Sequence, residues 1–422
     1  MSSPTTGLHS PVPLSARLPV GELAARSVAA AGAALAGTPN SSPDPQRVAA
    51  AYRSDRHLLI DGEQPDVWSP LSGFWRTADG WVRTHANYPH HAVALRAGLS
   101  LDTHASSDDL RALLAATSTQ HAVAAVRARG GLCVPVRRED PATDAALRQH
   151  PIVAIERLGN APKRALPRAT PSRPLDGVRV LDLTRVIAGP VATRTLAFAG
   201  ADVLRIDPPT RPEFAWQHLD TGHGKRTALV DIASESELVE SLLHDADVVV
   251  LGYRPEGLRR FGLSPQLLGE RHPHLLIAQL TAWPGADSPR GFDSLVQAES
   301  GIAWCESADG ETPGALPAQA LDHSAGYLLA AGIADALRRR ASDGGTWFVS
   351  TSLRRVAAEL LGMPRRPESA HDESAQPPTN PETQSFSVGG HDVTTVVPAV
   401  TWPGAPTRYA SPREWGADTA SW

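Results

Sequence analysis

The stretch "VRVLDLTRVIAGPVATRTLAFAGADVLRID" (178–207) decides the fold. Residues 178–184 form a short apolar run, as a strand buried on both faces requires, and 202–207 repeat it. Between them, 188–201 carries apolar residues at helical spacing, with Pro190 suited to the first turn. Strand, helix and strand in succession predict a βαβ unit, whose two strands run parallel. The pattern continues toward the carboxyl end. "TALVDI" (227–232), "DVVVLGY" (247–253), "LLIAQLTAW" (275–283) and "TWFVSTS" (346–352) read as strands. "SESELVESLLHDA" (234–246) reads as a helix opened by a Ser234-x-x-Glu237 capping box, and helices follow near 293–304 and 323–340. This alternation predicts an α/β fold with a doubly wound, Rossmann-like parallel sheet over 178–362. Ligands of such sheets sit beyond the carboxyl ends of the strands. The loops after Thr184, Asp207, Tyr253 and Trp283 are therefore the ones to read for function.

Toward the amino end, "FWRTADGWVRTHANY" (74–88) predicts a hairpin turning at Ala78-Asp79-Gly80. Residues 106–130 predict one or two amphipathic helices and 131–136 a strand. Together these make a smaller α+β domain over 18–158. Pro-, Ser- and Gly-rich stretches mark the boundaries. They give a loose tail at 1–17, an interdomain linker at 159–177, a low-complexity linker at 363–384 and a C-terminal extension at 385–422. The Ala-rich segment 22–36 carries Glu22 and Arg26 and is too short to span a bilayer. It reads as a soluble helix.

A net charge of −5 offers no field that would draw nucleic acid or an anionic membrane. Cys133 and Cys305, the only two cysteines, cannot build a disulfide framework, which fits a cytoplasmic location. The turn after residue 184 lacks G-x-G-x-x-G, and neither a P-loop nor H-E-x-x-H is present. His85, His90 and His91 lie close together, but without a nearby cysteine or ordered acid they predict no metal site. Lys225, just before a strand, is placed to meet a phosphate. Asp293 and Asp322 each precede an apolar helix. Both read as N-caps, and a helix N-terminus also stabilises an ionised carboxylate, which a carboxylate nucleophile needs. A glycosidase pair is the less favoured alternative, because the flanking loops offer only Phe292 and Trp283 to line a sugar site.

The block 174–209 resembles the opening of family III CoA-transferases, the CaiB/BaiF type. That family includes formyl-CoA transferase, carnitine CoA-transferase and alpha-methylacyl-CoA racemase. The similarity continues through 224–232, 246–263, 272–283, 291–302 and 320–345, in the family's order. The resemblance implies that Asp322, in "ALDHSAG", is the catalytic nucleophile. The implied reaction moves CoA between an acyl-CoA and a carboxylic acid through an aspartyl anhydride and an aspartyl thioester. It also implies CoA contacts at Ile187, Ala188, Val230, Asp231, Gly252, Tyr253, Arg254, Arg260, Gly291, Phe292 and Asp293. No tightly bound cofactor is implied, and coenzyme A enters as the substrate thioester. The racemase branch places a histidine where this chain has Phe292, 30 residues before Asp322, so transfer is favoured over α-proton racemisation. A catalytically degenerate acyl-CoA-binding homologue is a third reading. Two departures are local: Arg254-Pro255-Glu256 replaces the family's "RPG", and Ile187 replaces a glutamine of formyl-CoA transferase. The glycine-rich lid loop is not found. The third departure is one of order, since the hairpin at 74–82 resembles the family's small domain but precedes the CoA-binding domain, as a permuted chain would have it. A homodimer is implied, interlocked as in the family or in a different manner.

Overall fold

The computed structural model describes residues 11–39, 42–365 and 380–422. Its centre is a seven-stranded sheet built from β1 (Ala154–Gly159), β2 (Arg179–Leu183), β3 (Asp202–Asp207), β4 (Arg226–Leu229), β5 (Val248–Leu251), β6 (Leu276–Thr281) and β7 (Thr346–Ser352). The spatial order is β1-β7-β6-β5-β2-β3-β4. From β2 the chain winds outward through β3 and β4, then returns to place β5 on the other side of β2. All neighbours pair in parallel except β1, which lies antiparallel on β7. This is the doubly wound arrangement, and its switch point falls between β2 and β5. Val248–Leu251 is buried at every position, which explains the unbroken apolar run of a strand covered on both faces.

Three helices of the large unit position the site: α1 (Ala188–Phe198), α2 (Asp293–Ser300) and α3 (Ala320–Asp343). The long α3 packs against α1, and small residues let it approach. A Cβ at Gly326 would stand 2.6 Å from the Ala188 carbonyl oxygen, so only glycine fits the crossing. The expected capping box at Ser234 and Glu237 does not form. The helix there runs Ser236–Asp245, and the turn before it is organised by Asp231, whose carbonyl accepts from the Ser234 and Glu235 N–H groups.

A second, three-stranded antiparallel sheet (Phe74–Arg76, Trp81–Thr84, Cys133–Pro135) carries the helices Pro89–Gly98, Ser107–Ala115 and Thr119–Ala128. It closes its own core around Trp75, Val82, Leu95, Leu110 and Val126. Leu132 and Val134 of this unit pack on Leu295 and Ala298 of α2, so the small unit abuts the helix that begins at Asp293. The third sheet joins Leu59–Ile60 to the hairpin Thr383–Val388 and His391–Val396.

The domain boundaries read from the sequence are corrected at several points. The helix Val20–Ala36 belongs to the core of the large unit, where Leu23, Ala24, Val28 and Ala31 pack with α3. Residues 154–158 enter the large sheet as its edge strand. Within the supposed loose tail, Val12 and Leu14 are buried. The supposed C-terminal extension returns to the main core through Trp402 and Tyr409, both edge-on to Phe198. Most of the low-complexity linker at 363–384 lies outside the described residues. Among the described residues no helix is long and apolar enough to cross a membrane, and no cluster of histidine, cysteine and acidic residues could hold a metal ion.

Candidate active site

A cavity of about 560 Å³ opens at the carboxyl ends of the strands, over the switch point. The loop after β2 forms one wall and the loop after β5 another. They meet closely: a Cβ on Gly252 would stand 3.1 Å from the Thr184 Cβ. Val186, in the first of these loops, holds φ at 72°, a left-handed conformation that costs a β-branched residue on the order of 1–3 kcal/mol. The Glu213 carboxylate fixes it by accepting the Val186 N–H at 3.1 Å. Glu213 also pairs with Arg185 and Arg205 and accepts the Tyr88 hydroxyl at 2.6 Å. Burial opposes its charge, yet Arg205 and Arg185 overcome that and hold the carboxyl down to about 2. Through Tyr88, Glu213 ties the small unit to the cavity wall.

Of the residues singled out from the sequence, Ala188, Val230, Asp231, Gly252, Tyr253, Arg254, Gly291, Phe292 and Asp322 line this one cavity. Three do not. Ile187 packs against the main apolar core. Arg260 points to solvent and pairs with Glu256 one turn earlier. Asp293 is fully buried behind the cavity wall.

The two aspartates have different surroundings from those the sequence suggested. Helix α3 begins at Ala320, so Asp322 is its third residue and not its cap. The cap comes from the other aspartate, across space. Asp293 Oδ2 accepts the N–H groups of Leu321 at 2.8 Å and Asp322 at 3.0 Å. Its Oδ1 accepts from the Gln297 side chain, whose own oxygen holds the Leu316 N–H at 2.9 Å. The donors at the start of α3 are thereby directed to Asp293. Burial, and then the Asp293 charge beside it, push the Asp322 carboxyl well above the usual carboxylate range. Burial raises Asp293 as well, against the opposing effect of Gln297, the two N–H groups and the Arg83 charge. Two buried carboxyls side by side do not both ionise readily. The surroundings of Asp322 thus disfavour its charged form, although it stands in the first turn of a helix.

The mouth of the cavity is cationic. Arg211, Arg254 and Arg290 all line it, and none has a carboxylate within ion-pair distance among the described residues. Burial, then the charges of Arg254 and Arg211, lower the affinity of Arg290 for its proton. An anion entering there would relieve this repulsion and gain planar, bidentate partners. Lys225 does not contribute. It is buried beneath the sheet, 3.2 Å from Asp182, and donates to the Pro190 carbonyl. The histidine trio lies on the far wall. His90 and His91 line the cavity, and His91 Nε2 lies 3.2 Å from Arg290. His85 stacks flat on Phe292, with ring centres 3.8 Å apart and planes 5° apart. Burial and Arg83 push the His85 imidazole down to about 3, so it stays neutral.

Reading the sequence missed Arg185, Arg211 and Arg290, although each stands in a loop after β2, β3 or β6, where the topology directs attention. Tyr88 carried no local signal, and the closeness of His90 and His91 in sequence did not point to this cavity, because all three reach it from the other unit.

The sequence model of CoA-transferase family III matches residues 175–389. A probable fatty acyl-CoA transferase of Mycobacterium tuberculosis is 33% identical over 214 residues, covering 46% of this chain and 54% of that one. A cinnamoyl-CoA:phenyllactate CoA-transferase of Clostridium sporogenes is 29% identical over 209 residues, covering 44% of this chain and 50% of its own. A crystal structure of the mycobacterial protein overlaps 45% of this chain and 56% of its own, at 34% identity and a TM-score of 0.42. The chain thus spans about half the length of these relatives.

Proposed function

From the premise that the chain belongs to CoA-transferase family III, we propose that it moves coenzyme A between an acyl-CoA thioester and a carboxylic acid, with Asp322 as the carboxylate that carries the intermediates. The observation that supports this most is the pairing of a buried carboxyl on the cavity floor with three carboxylate-free arginines at its mouth. One end suits an acyl carbon, the other the phosphates of CoA.

The steps balance without any further reagent. An Asp322 oxygen attacks the thioester carbonyl, the C–S bond breaks, and CoA leaves as a thiolate. The thiolate then attacks the Asp322 carbonyl of the mixed anhydride and releases the first acid. The acceptor carboxylate attacks the aspartyl thioester, again expelling thiolate. Thiolate finally attacks the acceptor's acyl carbon, which frees the Asp322 carboxylate. Phe292 stands where the racemase branch has its histidine and cannot move a proton, so racemisation is not the favoured reading. We extend the proposal to a homodimer, and to the permuted order in which the small antiparallel sheet takes the role of the family's later domain.

Hydroxylamine trapping tests the central claim. With a productive CoA thioester, mass spectrometry should find a hydroxamate on Asp322; turnover with the label elsewhere, or with none, refutes the assignment. The arginines carry a separate expectation. Arg254→Ala should raise KM for a CoA thioester by about tenfold and leave kcat within about threefold, since the lost contact is far from the reacting carbon. Steady-state kinetics at low and high salt would check it, with the difference shrinking as salt screens the exposed charge.

A further inference from the structure

The loop that carries Arg290 is fixed along its backbone. Ser288 Oγ accepts the Trp283 N–H at 3.1 Å, and Pro289 restricts the chain just before Arg290. Neither contact reaches the guanidinium. A long side chain left free to rotate must be ordered by its ligand, and that cost weakens binding. Among the described residues, the side chain hydrogen-bonded to this guanidinium is His91, whose Nε2 lies 3.2 Å from Arg290 Nη1. A guanidinium stays protonated and only donates, so Nε2 accepts and the ring proton sits on Nδ1. Burial, then the neighbouring His90 and Arg290, push the His91 imidazole down to about 2, so the ring stays neutral and keeps the accepting lone pair. His91 is buried, and its Nδ1 has no hydrogen-bond partner. Its polar contribution therefore goes to Arg290.

His91 belongs to the small unit. It stands in the first turn of the helix Pro89–Gly98, just after Tyr88, whose hydroxyl donates to Glu213 at 2.6 Å. The Arg185 guanidinium lies 5.3 Å from the centre of the Tyr88 ring. The short segment 88–91 thus meets two walls of the cavity at once. Tyr88 meets the wall of Glu213 and Arg185, and His91 meets the wall of Arg290. The His91 ring is held between them, edge-on to Tyr88 at 5.7 Å and to Phe292 at 5.9 Å. A ring packed in this way has little freedom of its own, and so fixes what it binds.

We infer that His91 is a positioning residue for the CoA site: it holds the Arg290 guanidinium in place for a phosphate of CoA, so that the small unit completes a site whose three arginines belong to the large one. The inference rests on the reading of the cationic mouth as the phosphate end, given above. His91 acts here through Arg290, by taking freedom from that side chain before the ligand arrives. The neutral ring matters to this role, since a charged one would have no lone pair to offer and would repel the guanidinium.

Calorimetric titration with CoA itself tests this without any turnover. His91→Leu should raise the Kd for CoA by about fivefold, the effect of one lost hydrogen bond. Arg290→Leu should raise it by about tenfold or more. His91→Gln, whose side-chain oxygen accepts in place of Nε2, should stay within about twofold of the wild type. In an Arg290→Leu background, His91→Leu should add less than about twofold, because the group it positions is gone. A role in packing alone gives a different pattern. His91→Gln would then weaken binding as His91→Leu does, and His91→Leu would cost the same with or without Arg290. Either result, an unchanged Kd in His91→Leu, or a wild-type protein that does not bind CoA overturns the inference. In a transfer assay, His91→Leu should raise KM for the thioester and leave kcat within about threefold. If the binding cycle holds while no thioester leaves a label on wild-type Asp322, the transfer reading fails and the inference stands.

Discussion

Asp322→Asn should abolish CoA transfer, by about 10⁴-fold or more in kcat, and at the same time make the fold more stable at neutral pH. The first effect follows from chemistry, since a carboxamide cannot form the anhydride. The second follows from where Asp322 sits, buried beside a second buried carboxyl. Its folded-state affinity for a proton exceeds that of the unfolded chain. The stability this confers is complete below the unfolded carboxyl range of about 4, and is lost as pH rises through the higher folded value. Asparagine has no charge to develop. The stability of the variant relative to the wild type should therefore rise with pH above about 4. Calorimetric melts across pH, run beside a transfer assay, read both effects. A variant less stable than wild type at pH 8 would contradict the raised proton affinity of the buried Asp322 carboxyl.

Asp293 gives the second large expectation, and its two substitutions separate two roles. Asp293→Ala leaves the Leu321 and Asp322 N–H groups and the Gln297 amide without their acceptor. Losing a cap and stranding buried donors should cost about 2–4 kcal/mol, seen as a lower denaturation midpoint. Asp293→Asn keeps the shape and one acceptor oxygen but removes the charge. That charge helps to raise Asp322, so the acid limb of the pH–kcat/KM profile should move to lower pH in the asparagine variant. A purely structural cap would change the melt and leave the limb in place.

The difference between the two aspartates shows how far the sequence could be read. The parallel strands were legible because each is a compact apolar run, and the loops at their carboxyl ends follow from the order of elements. The nine residues singled out from the sequence that do line the cavity come from those loops and the helices that follow them. What acts over distance was not legible. Asp293 caps a helix 28 positions away, and nothing local distinguishes that from capping its own. Tyr88, His90 and His91 reach the site only because Leu132 and Val134 pack on α2. Lys225 looked like a phosphate ligand because its register facing Asp182 is set by the sheet and not by its neighbours. The Val20–Ala36 helix was assigned to the wrong unit because alanine and glycine show that a helix packs closely without showing against what.

The packing of Phe198 under Trp402 and Tyr409 bears on how the molecule comes into being. During synthesis, the strands β2 to β7 leave the ribosome long before those two aromatics do. Until residues 402–409 emerge, Phe198 lacks two of its aromatic neighbours, and this flank of the sheet unit stays open to water. Pairings so distant in sequence close late, and a nascent chain in that state is open to aggregation. Interrupted translation within this last stretch would thus yield a chain that contains all the cavity-lining residues and lacks the aromatic cover of the Ala188–Phe198 helix.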